Sequence, residues 1–113
     1  MGKSRIETVL ERRTDQKKAV AVERSLAALS ALERAGIAAW IVGSLVKGGF
    51  SFHSDVDVLV QCSPEEELRA FKIVEAAMHG FPFHLIPTCN LDEEALSSFL
   101  KEAVDASGVR ACA

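Results

Sequence analysis

The sequence predicts an α/β (α+β) protein, in which a small mixed β-sheet has helices packed on it. Apolar residues recur at helical spacing in the N-terminal third, and short apolar runs bounded by glycine or proline follow. Because the two patterns alternate along the chain, they favour helices layered on one sheet. The 113 residues suit one domain. We divide it into an N-terminal helical segment (1–35), a core region (36–105) and a flexible tail (106–113).

The N-terminal third is predicted to be helical and to end at Gly36, a residue type that commonly terminates helices. The stretch from Glu11 to Lys18 is almost wholly polar, which indicates that the first turns form a separate or frayed helix. The apolar positions that repeat at helical spacing are Val22, Leu26, Leu29 and Leu32.

Three short strands and one short helix are predicted in the core region. Pro82 stands near the start of the last strand and indicates an edge position, because proline cannot donate to a neighbouring strand. The predicted strands are Ala38 to Val42, Asp55 to Gln61 and Phe81 to Ile86, and the short helix is Leu45 to Gly49.

Two further helices have recognisable starts. Ser63, followed by proline and then by Glu66, is a capping-box pattern, and Asn90 or Asp92 is expected to cap the last helix. The chain after Gly108 is expected to be unstructured. The predicted buried stripe of the earlier helix is Leu68, Phe71, Val74 and Met78, and that of the last helix is Leu96, Phe99, Leu100, Ala103 and Val104.

Composition excludes several classes of protein. No apolar run approaches the ~20 residues of a membrane span, and a net charge of −3 disfavours broad DNA binding. The three cysteines, Cys62, Cys89 and Cys112, form no Cys-x-x-Cys pair, which favours free thiols in a reducing compartment over a disulfide framework or a zinc site. We therefore expect a cytoplasmic protein. Free edge strands leave an oligomer open, although Pro82 could blunt one edge.

Asp55 and Asp57 are the most informative residues of the chain. They alternate with valine in a predicted strand, so both carboxylates project from the same face. Two charges about 6–7 Å apart repel by roughly 2–3 kcal/mol at an effective dielectric constant near 20. A fold tolerates such a pair on an exposed edge or where a divalent cation binds. Carboxylates are the protein ligands that Mg²⁺ prefers.

A Gly-Ser turn precedes the acidic strand by about ten residues. Gly43 permits close approach to a ligand, and the Ser44 hydroxyl and starting backbone N–H groups can contact a phosphate. Lys47, one turn later, can add a positive charge. Together with the aspartates, this set indicates metal-assisted transfer from a nucleoside triphosphate. The alternative is a small α/β domain whose aspartates merely occupy an exposed edge.

The pattern Val42-Gly43-Ser44 followed by Ser54-Asp55-Val56-Asp57 resembles the polymerase-β-type nucleotidyltransferase superfamily, and most closely its minimal single-domain members. The resemblance implies a palm-like nucleotidyltransferase fold. It implies that a nucleoside triphosphate is bound by Gly43, Ser44, Lys47 and Ser54. It also implies that Asp55 and Asp57 bind two divalent metal ions, Mg²⁺ or alternatively Mn²⁺.

The implied reaction transfers a nucleoside monophosphate, commonly AMP from ATP, to a protein or RNA hydroxyl. Minimal members often pair with a helical HEPN-type protein as the antitoxin of a toxin–antitoxin module. The alternative implied by the resemblance is a weakened or inactive nucleotidyltransferase fold that acts by binding such a partner.

His84 marks a departure from the family pattern, which has a third carboxylate on the next strand. A histidine can ligate a metal or move a proton near neutral pH, but it brings no negative charge. Three interpretations stay open: an edge-strand residue hydrogen-bonded to a neighbour, an acid–base or altered metal role, and a weakly active site.

Overall fold

The computed structural model describes the backbone of residues 5–112 and the side chains of residues 12–112. Helices and strands alternate as predicted, with one additional helix near the C-terminus. The helices are α1 (Arg5–Arg34), α2 (Ser44–Lys47), α3 (Glu67–Met78), α4 (Glu93–Glu102) and α5 (Ala106–Ala111). The strands are β1 (Ala39–Val42), β2 (Val56–Val60) and β3 (Phe83–Pro87). None of the helices in this described part is long and apolar enough to cross a membrane.

The three strands form one mixed sheet in the order β1-β2-β3. Strand β2 runs antiparallel to β1 and parallel to β3, so the predicted small mixed sheet is confirmed. The predicted edge position after Pro82 is also confirmed, because within residues 5–112 β3 pairs with β2 alone. In this register Asp57 stands opposite Val42 on one neighbour and His84 on the other.

The hydrophobic core lies against one face of β2. Val56, Val58 and Val60 are fully buried there, as the alternating pattern predicted. They belong to the same apolar cluster as Leu32 of α1 and Val74 of α3. Since successive side chains of a strand point to opposite faces, Asp57 projects away from this cluster.

Helix α3 begins as predicted and buries Val74 and Met78 of its predicted stripe, but not the other two members. The reciprocal capping box between Ser63 and Glu66 is present and opens a short 3₁₀ turn that leads into α3. Leu68 and Phe71, however, are 63% and 39% exposed. The buried positions of α3 belong to the same apolar cluster as residues of α1. These positions are Ala70, Val74 and Met78.

Helix α1 is continuous, so the prediction of a separate or frayed first segment is wrong for the described residues; Met1 to Ser4 lie outside them. A helix of 30 residues is about 45 Å long, which is most of the 54 Å length of the molecule. Arg12, Arg13, Asp15 and Gln16 are exposed, so the polar stretch is the solvated surface of a long helix.

The predicted flexible tail is also wrong for residues 106–112, most of which form α5. Asp105 caps this helix by accepting a hydrogen bond from the Gly108 N–H at 3.1 Å. Val109 is fully buried in the core, which anchors the segment. Only one large apolar residue, Val109, follows the glycine, which was too weak a pattern to predict this.

Candidate active site

Gly43 lies at the end of β1, where the backbone passes directly over Asp57. Its φ is +85°, and a Cβ atom at this position would lie 2.2 Å from Asp57 Oδ2. Because such a contact is impossible for a real side chain, only glycine fits without displacing the carboxylate. The backbone at Gly43 thus approaches an acidic side chain of the same chain, and its approach to a ligand stays a prediction.

Asp55, Asp57 and His84 form a single cluster. The His84 ring presents Nδ1 to Asp57 Oδ1 at 3.2 Å and Nε2 to Asp55 Oδ2 at 3.6 Å. Nδ1 is within hydrogen-bond distance of Asp57, whereas the Nε2 separation from Asp55 is too long for a hydrogen bond, so the ring lies between the two carboxylates and is bonded to one of them. His84 therefore faces the aspartate pair, at the position where the resemblance implied a third carboxylate. Its side chain is 68% exposed, which leaves the cluster open to solvent.

Burial raises the pKa of Asp57 above its usual value. The neighbouring carboxylates of Asp55 and Glu102 raise this pKa further, while the hydrogen bond and charge of His84 lower it. The carboxylate is thus held in surroundings that disfavour its negative charge. A cation bound beside it would relieve this cost.

Glu102 is a member of the site that the sequence did not reveal. From the last residue of α4 its Oε1 accepts the Gly43 N–H at 3.2 Å, and its Oε2 lies 2.6 Å from Lys47 Nζ. The side chain is only 17% exposed. A carboxylate at a helix C-terminus is unfavourable to the helix dipole, and this was the available sign that Glu102 has another role.

A β-bridge explains how Glu102 reaches the Gly43 turn. Val104, two residues later, exchanges two backbone hydrogen bonds of 3.0 Å with Ile41 of β1. This bridge fixes the end of α4 beside the end of β1. The two segments are separated by some sixty residues of chain, so no local pattern indicates the contact.

The remaining predicted residues divide into two groups. Ser44 opens α2 beside Gly43 and is half-buried, and Lys47 ends the same helix. Ser54 is turned toward its own loop, where its Oγ accepts the Ser51 N–H at 2.9 Å. Gly43 and Lys47 both contact Glu102, and Gly43 also lies against Asp57, so these residues form one group with the aspartates. The Ser54 side chain instead stabilises the turn that precedes Asp55.

The donor set fits a hard divalent cation bound together with a substrate. Within residues 12–112, no group of three or more His, Cys, Asp or Glu side chains is arranged to hold a metal ion alone. Mg²⁺ commonly uses only one or two carboxylates and takes its other ligands from substrate phosphates and water. Asp55 and Asp57 supply such a pair. Because burial and neighbouring carboxylates disfavour the negative charge of Asp57, a cation bound there would be stabilising.

Comparison with known proteins gives one informative likeness. No protein-family model and no curated protein matches the chain. Among solved structures, that of a candidate minimal nucleotidyltransferase is similar, with a TM-score of 0.56 at 23% sequence identity. The alignment covers 85% of this chain and 94% of that chain. The chain therefore has the nucleotidyltransferase fold that the sequence predicted.

Proposed function

We propose that this protein is a divalent-metal-dependent nucleotidyltransferase that transfers a nucleoside monophosphate, AMP from ATP, to a hydroxyl of a protein or RNA. The observation that carries the proposal is the meeting of Asp55 and Asp57 with the Gly43 turn at one end of the sheet. Acidic oxygens beside backbone and lysine donors are the groups that a metal–triphosphate complex requires.

The proposed roles follow from chemistry. The acceptor hydroxyl oxygen forms a bond to the α-phosphorus, the bond to the bridging oxygen breaks, and pyrophosphate leaves. Asp55 and Asp57 would hold Mg²⁺ or Mn²⁺, which when bound supplies positive charge to the phosphate oxygens. The Gly43 N–H and Lys47 would contact the triphosphate once Glu102 moves from them. His84, beside Asp57, would accept the proton of the hydroxyl through an unprotonated ring nitrogen.

Nucleotide binding tests this proposal without requiring the acceptor. We expect ATP with Mg²⁺ to bind the wild type in isothermal titration calorimetry, and Asp55→Asn and Asp57→Asn to bind at least tenfold more weakly. Asp15→Asn, the same chemical change on an exposed residue of α1, is the matched control and should bind as the wild type does. Equal binding by all four proteins, or by none, would refute the proposal.

A second candidate function is a weakened site kept for binding a HEPN-type helical partner. The observation that favours it is the His84 ring, which lies between the two carboxylates where the resemblance implied a third carboxylate. Under this alternative His84→Asp strongly increases nucleotidyl transfer while the fold is kept, and the wild type co-purifies with a small helical protein encoded beside it. An active wild type that gains nothing from His84→Asp would exclude the alternative.

A further inference from the structure

Lys17 of α1 occupies an unusual environment for a lysine. Its ammonium lies 5.8, 5.7 and 5.5 Å from the ring centroids of Phe50, Phe52 and Phe81. The same nitrogen donates hydrogen bonds to the carbonyl oxygens of Phe52 at 2.5 Å and of Ser54 at 2.7 Å. The aromatic faces attract the cation, and the carbonyls satisfy its donors.

These contacts connect α1 to the loop that precedes β2. The bonded carbonyls are 35 and 37 residues from Lys17 along the chain. A hydrogen bond from a charged donor contributes more to stability than a neutral one. Loss of the ammonium would leave the two carbonyls without this partner beside a partly apolar surface. Lys17 is therefore a major constraint on the loop conformation.

Asp55 lies between two fixed points of the backbone. On one side, the Ser54 carbonyl is held by Lys17. On the other, the Val56 N–H donates to the Pro82 carbonyl at 3.1 Å, which joins β2 to the start of the β3 segment. Asp55 itself precedes the first residue of β2, so the sheet ladder alone does not determine its orientation.

We propose that Lys17 is a positioning residue that fixes the Asp55 carboxylate for metal binding, acting through the Ser54 backbone. This inference rests on the proposed function for the role of Asp55. Lys17 is not a catalytic residue, since it acts on the loop backbone and not on the reacting groups. Removal of a residue that orients a metal ligand without contacting the metal typically lowers metal affinity 10- to 100-fold.

Mn²⁺ binding, followed by water-proton relaxation, tests this role in the full-length protein without turnover. We expect Lys17→Met, which keeps the apolar stem among the rings, to bind Mn²⁺ roughly tenfold more weakly. Lys17→Arg keeps a cationic donor for both carbonyls and should restore most of the affinity. Lys72→Met, on the exposed surface of α3, is the matched control and should leave Mn²⁺ affinity unchanged.

A folded Lys17→Met protein with wild-type Mn²⁺ affinity would overturn the inference. If that variant does not fold, Lys17→Leu takes its place, since it likewise lacks a donor for the carbonyls, and an unchanged affinity overturns the inference equally. Amide hydrogen exchange of residues 50–56, measured without metal, separates the two proposals. Absence of Mn²⁺ binding by the wild type would refute the proposed function, whereas unchanged exchange in the variant would refute the role of Lys17.

Discussion

Two corners of the sheet are held in opposite ways. At the Gly43 corner, the carboxylate of Glu102 from α4 holds a backbone N–H and Lys47. At the Asp55 corner, the ammonium of Lys17 from α1 holds two backbone carbonyls. The acidic side chain occupies the very groups that the proposed function assigns to phosphate, so a nucleotide must displace it. Lys17 lies behind its loop and can stay in place when a ligand binds.

Of the substitutions that test this difference between the two corners, that of Gly43 should have the largest effect on stability and ATP binding. Gly43→Ala combines a left-handed φ with a Cβ atom 2.2 Å from Asp57 Oδ2. Backbone strain alone costs about 1–3 kcal/mol of unfolding free energy, and the carboxylate must also move. We expect lower stability in urea denaturation and loss of ATP binding in calorimetry.

Gly36→Ala separates backbone strain from the close contact with Asp57. Gly36 has a similar φ of +78°, but a Cβ there would meet nothing within 4 Å. This control should lose some stability and keep ATP binding. If Gly43→Ala kept wild-type ATP affinity, the close approach of Gly43 to Asp57 would be irrelevant to the site.

Removal of the Glu102 charge should change ATP affinity less than Gly43→Ala does, and in the opposite direction. Glu102→Gln loses the ion pair with Lys47, which as a partly exposed pair contributes about 0.2–1 kcal/mol. Since Lys47 becomes available to the triphosphate, we expect ATP affinity to rise about two- to fivefold in calorimetry. Glu94→Gln, an exposed residue in the first turn of α4, is the matched control. Weaker ATP binding by Glu102→Gln would indicate that Glu102 supports the ligand instead of competing with it.

The order of elements, the capping box at Ser63 and the alternation of Asp57 with buried valines were predictable because each depends on residues close together in sequence. Glu102 and Lys17 were not predictable, because their partners lie dozens of residues away and are reached only through packing of α4 and α1. The exposure of Leu68 and the burial of Val109 likewise depend on which helix faces meet. Local chemistry thus identified the aspartates and the turn, and the tertiary fold added the residues that hold them.

The smallest predicted effect concerns stability and pH in metal-free buffer. The pKa of Asp57 is raised in the folded protein, mainly by burial. The protonated side chain therefore contributes its whole share of the free energy of unfolding below the pKa that Asp57 has in the unfolded chain. This share is lost as pH rises through the pKa of Asp57 in the folded protein. Asp57→Asn should therefore be more stable relative to the wild type at pH 7 than at pH 3. Thermal unfolding of both proteins across this range measures the difference, and a constant difference would contradict the raised pKa.

The metal–nucleotide assignment is tested most directly by crystals soaked with Mn²⁺ and a non-hydrolysable ATP analogue. Anomalous diffraction should show Mn²⁺ between Asp55 and Asp57, with the His84 ring moved from its place between the two carboxylates and Lys47 turned from Glu102 to the triphosphate. A bound analogue without Mn²⁺ at the aspartates, or an unchanged His84 ring with neither ligand bound, would contradict the proposed site.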